Sequence, residues 1–111
     1  MELSLEPEIF GSAQPVPDVL TLMVTIPANH GACVNVFMAN NGSYQDHVRL
    51  LVKPASDVIS DAQYLLYGTP ITAEQTVILS NIFINSGDQI YVWSEQGATA
   101  FNATGTTFVY Y

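Results

Sequence analysis

Between residues 87 and 105 the chain spells strand, turn and strand, and leaves room for little else. Gly87-Asp88 makes a polar turn, Gln89 to Ser94 alternates, Gly97 turns the chain again, and Phe101-Asn102-Ala103-Thr104-Gly105 opens another alternating run. Side chains of period two bounded by glycine belong to antiparallel strands. Ile90 and Val92 share one face of such a strand while Tyr91 and Trp93 share the other, so both faces need apolar cover.

The same grammar runs back along the chain. Val19 to Ile26 reads as a strand ended by Pro27, and Ala32 to Asn40 follows after the Ala28-Asn29-His30-Gly31 turn. Asn40-Asn41-Gly42-Ser43 suits a turn with positive φ. Val48 to Lys53 is stopped by Pro54, with Val48, Leu50 and Val52 on one face and both strong bases on the other. Residues 55–62 are a polar connection or short helical turn, and strands follow at 63–68, 76–84, 89–94 and from Gly97 onward. Seven or eight strands at intervals of about ten residues, with no helical period and no fixed repeat, predict an all-β fold: an antiparallel β-sandwich, jelly-roll-like.

Residues 1–17 differ in character, with Pro7, Pro15 and Pro17, three glutamates, and the apolar Leu3, Leu5, Ile9 and Phe10. Proline spacing predicts an extended N-terminal arm, docked on its own domain or on a neighbouring subunit, ahead of a sandwich domain at 18–111. The arm's four large apolar residues, together with Tyr91, Trp93, Tyr110 and Tyr111, are the expected interface set, in a homotrimer or comparable ring.

Charged residues make up 11 % of the chain, against about 25 % in an ordinary soluble domain, which suits a surface packed into a larger assembly. Arg49 and Lys53 stand against ten carboxylates, for a net charge of −8. Two bases cannot form the patch that phosphates require, so neither nucleic acid nor an anionic membrane is an expected partner. No basic leader opens the sequence, and no run reaches the roughly 20 apolar residues of a membrane span.

Chemistry-bearing residues are sparse. His30, Cys33, Asp46 and His47 have the residue types of a nucleophilic set, but Cys33 on an alternating strand reads as a small core residue. Asp57 and Asp61 read as a solvated connection, and Asp88 as a turn carboxylate bonded to its own backbone. No spacing matches a metal site or a phosphate loop. The expectation is a non-enzymatic protein without cofactor, metal or catalytic residues.

A series of motifs, Val24-Thr25-Ile26-Pro27-Ala28, Val36 to Asn40 with Gly42, Val48 to Pro54, Tyr64-Leu65-Leu66-Tyr67-Gly68, Gly87 to Ser94 and Phe101 to Gly105, resembles a family of small tailed-bacteriophage virion proteins over about residues 20 to 105. The resemblance implies a β-sandwich built into the virion, usually as an oligomer, with no catalytic residues to carry over. The expected role is a capsid decoration (cement) subunit on the outer surface of the virion, made in the host cytoplasm, with the major capsid protein or tail proteins as partners. The alternatives are a tail, neck or fibre component and a carbohydrate- or receptor-binding module.

Overall fold

The strands expected between Val19 and the C-terminus are all present, and one more precedes them. The computed structural model describes residues 3–110. Its elements are β1 (Leu3–Ala13), β2 (Thr21–Thr25), β3 (His30–Asn40), β4 (Asp46–Lys53), a single 3-10 turn (Asp61–Gln63), β5 (Tyr64–Ile71), β6 (Thr76–Ile84), β7 (Gln89–Ser94) and β8 (Thr99–Tyr110). Two four-stranded sheets result, ordered β1-β8-β3-β6 and β2-β7-β4-β5, with every pairing antiparallel. Successive strands change sheet at each connection except β4 to β5. That is the eight-stranded jelly roll, an antiparallel β-sandwich.

The core is the meeting of the two inner faces. Val34, Val36 and Met38 of β3, with Phe101 and Ala103 of β8, oppose Val48 and Leu50 of β4 and Ile90 and Val92 of β7, and all are buried. Burying each of the larger ones stabilises the fold by about 1.5 to 3 kcal/mol before ordering costs. Gly105 lets β8 lie close against β3: a Cβ there would sit 2.0 Å from the Cys33 carbonyl oxygen, and its φ is +154°.

Within the expected arm, 1–17, the described residues from 3 on are not a separate arm. The segment is extended as its prolines imply, but Leu3–Ala13 pairs with β8 of the same chain as the sheet's edge strand. Pro7 is accommodated because an edge strand can lack an N–H on its free side. A bulge between Ile9 and Gly11 inserts Phe10 as the extra residue, and Phe10 packs on the core with Ala13. The expected boundary near residue 17 therefore falls in the crossing from β1 to β2, within one sandwich.

One end of the sandwich is closed by polar side chains. Buried Asn40 donates from Nδ2 to the carbonyls of Tyr44 and Ile71, both at 2.9 Å, and accepts from the Gly42 N–H. Asp46, also buried, accepts from the Thr99 hydroxyl at 2.7 Å, from the Ser94 hydroxyl, and from the N–H groups of His47 and Gln96. Since Asp46 and Ser94 belong to one sheet and Thr99 to the other, a single carboxylate fastens the two layers.

Candidate interaction surfaces

The outer face of the β2-β7-β4-β5 sheet is aromatic and basic. Register places Arg49 opposite Trp93 on one side and Tyr67 on the other, and Leu51 opposite Tyr91 and Tyr64. Directly paired residues in antiparallel strands point the same way, so these six form one patch. The Arg49 guanidinium lies 4.1 Å from the Trp93 ring centroid and 4.2 Å from that of Tyr67, within range for cation–π attraction to both rings. Tyr64 meets Tyr67 edge to face at 4.8 Å. Beneath Arg49, the Trp93 indole N–H donates to Asp18 Oδ1 at 3.0 Å.

Trp93, expected at an interface, is buried within the single chain: the arginine roofs it and Asp18 takes its one donor. Phe10, from the same expected set, is turned by the β1 bulge toward its own core. Tyr91 is half-buried on the patch, its hydroxyl donating to Gln89 Oε1 at 3.3 Å. Leu5 and Ile9 are exposed on the free face of β1, at 62 % and 80 %. Tyr111 lies outside the described residues, as do the side chains of Leu3 and Tyr110.

The residues weighed for nucleophilic chemistry are scattered. His30 begins β3, with its Nδ1 2.7 Å from the Ala28 carbonyl oxygen, and Asp46 lies beyond the other end of that strand, against Thr99. Cys33 projects from the middle of β3 on its outer face, half-buried rather than in the core, near the Asn81 side chain. His47 approaches Glu95 at 3.7 Å. Asp88 accepts from the N–H groups of Asn85 and Ala55, the backbone role expected of it.

Among the described residues Asp46 stands apart in its environment, and the sequence marked it only for a nucleophilic set whose members lie scattered. Desolvation on burial would raise its pKa, but the hydrogen bonds from Ser94, Thr99, Gln96 and His47 outweigh it and hold the carboxyl below its ordinary value. A carboxylate whose ionised form is favoured by bonds all directed to structure serves as an anchor between the two layers. Among the described residues, no cluster of three or more His, Cys, Asp or Glu could hold a metal, and no helix is long and apolar enough to cross a membrane.

Neither a protein-family model nor a curated protein matches the chain. Among solved structures, a chain in the structure of infectious bursal disease virus, Gx strain, matches over 97 % of this chain with a TM-score of 0.50 and 10 % sequence identity. This chain spans 32 % of that one. At such identity the likeness is one of fold.

Proposed function

We propose that the protein is a non-enzymatic viral structural subunit, a decoration protein on the outer surface of a tailed-phage capsid. The observation that carries the reading is the jelly-roll strand order β1-β8-β3-β6 over β2-β7-β4-β5, a fold the chain has in common with the viral chain above. The motif series from Val24 to Gly105 adds its resemblance to small tailed-phage virion proteins. Charge favours the outside of the shell. A subunit of net charge −8 is repelled by packaged DNA, and it is attracted to a basic surface.

Mass spectrometry and antibody labelling of virions purified from the host of the encoding genome test this. Stoichiometric, surface-accessible protein on heads supports decoration, labelling confined to tails moves the subunit there, and absence from particles refutes a virion role.

A second reading rests on the Arg49 patch. Tyr67 is 61 % exposed beside a guanidinium, a combination able to stack on a sugar ring and bond its hydroxyls. Binding on a glycan array that is lost in Tyr67→Ala would favour a carbohydrate-binding module.

A further inference from the structure

The two outer faces of the sandwich differ in charge. Arg49 and Lys53, the only strong bases in the chain, are on the β2-β7-β4-β5 side, whereas the outer face of β1-β8-β3-β6 carries no charged group among the described residues. Register assigns that face Leu5 and Ile9 of β1, Phe108 of β8, Phe37 of β3, and Ile78 and Phe83 of β6, spaced by Ala, Thr, Asn and Cys33. Ile9, Phe83, Leu5 and Ile78 are 80 %, 72 %, 62 % and 52 % exposed. Between Phe83 and Phe108 runs a groove of about 240 Å³, floored by Gly31 and Ala32. Glu6 and Glu8 alternate away from this face, toward Thr25, Pro27 and His30, and Glu8 borders its rim beside Pro7 and Ile9.

We propose that this uncharged face is where a second copy of the chain packs, like face on like face. Two molecules of net charge −8 repel where their acidic surfaces meet, so like faces approach most closely through a surface bearing no charge. A basic partner would be drawn instead to the acidic remainder of the molecule. A second copy brings a matching apolar face and is not opposed there.

The size is sufficient. With strands about 4.8 Å apart and a rise of about 3.3 Å per residue, four strands of the length of β3 present on the order of 700 Å², close to the roughly 800 Å² per partner of a standard interface. Because both copies use the same patch, the contact is isologous and closes as a two-fold pair, in place of the trimer or ring expected from the sequence. Sheet-on-sheet packing of this kind continues the layering already inside each sandwich. The inference does not depend on where in a virion the protein sits.

Sedimentation equilibrium of the full chain across micromolar concentrations tests it. The expected result is a monomer–dimer equilibrium that tightens as salt is raised, since screening removes the repulsion between the acidic remainders and the contact has no ion pairs to lose. Phe83→Glu and Ile9→Glu, both at exposed positions, should each weaken dimerisation by about tenfold or more, with circular dichroism unchanged. Leu65→Glu, at an exposed position on the opposite sheet, should leave it intact. Alkylation of Cys33, the sole cysteine, should slow as the dimer forms. A monomer throughout, a trimer, a dimer indifferent to both glutamates, one equally sensitive to Leu65→Glu, or one that loosens with salt would each overturn the proposal.

Discussion

Asp46 in β4 and Thr99 in β8 are joined by a hydrogen bond of 2.7 Å that crosses from one sheet to the other. Asp46 collects two hydroxyl and two N–H donors, so removing it leaves several buried groups without partners, each costing about 1 to 3 kcal/mol. Asp46→Ala should therefore lower stability by about 3 kcal/mol or more, measured by urea unfolding. Asp46→Asn, which keeps an acceptor for the two N–H groups, should cost less.

The same residue sets a pH dependence. Its carboxyl is held below the ordinary value of 3.8. The stabilisation is therefore present in full above the unfolded-state pKa and is lost as pH falls from about 4 through the lower folded value. Wild type should lose stability over that acid range, and Asp46→Asn should lose less of it. Equal acid limbs in the two proteins would show that other carboxylates govern the transition.

Trp93 is the only tryptophan in the chain, which makes it a clean reporter of the Arg49 stack. Arg49→Ala removes a cation held between two rings, at about 0.5 to 2 kcal/mol, and opens Trp93 to water. Its fluorescence should shift to longer wavelength and become quenchable by iodide in the folded protein. Arg49→Lys should restore this only in part, because an ammonium lacks the plane that stacks on both rings.

Gly105→Ala should abolish the fold. The new methyl would meet the Cys33 carbonyl oxygen and carbon and the Val34 Cα at 2.0 to 3.2 Å. These are backbone atoms of the central strand β3, which cannot give way without parting β3 from β8. Soluble, cooperative unfolding of this variant with wild-type stability would contradict the close approach.

The strand pattern was legible because inward residues such as Val34, Val36 and Met38 alternate without interruption. The jelly-roll order was not, since it depends on which strands meet and no local period encodes that. β1 was missed for a definite reason. Leu5 and Ile9 do alternate with Glu6 and Glu8, but the apolar side faces outward and Pro7 interrupts the run, so the segment reads as an arm. The Arg49 patch was half visible: both bases lie on one face of β4, and Tyr91 and Trp93 on one face of β7. Only the register that sets Arg49 opposite Trp93 joins them. The anchoring role of Asp46 carried no signal, because its partners Ser94, Gln96 and Thr99 lie about fifty residues away.

The placement of β1 changes what truncation should do. Were residues 1–17 a free arm, deletion would leave a folded domain starting near Val19. Instead β1 pairs with β8 from Phe101 to Tyr110 and brings Phe10 and Ala13 onto the core. Its removal would strip the ladder partner from β8 and leave that strand as an exposed, uncharged edge, a surface prone to pairing with other chains. The deletion should yield protein that aggregates or unfolds at markedly lower urea, with the loss concentrated in the β8 amides by hydrogen exchange. Adding a peptide of residues 1–14 in trans should recover part of the protection, because the missing strand is supplied by sequence and not by connectivity. A truncated protein as stable and monomeric as the full chain would show that β1 contributes nothing to the fold.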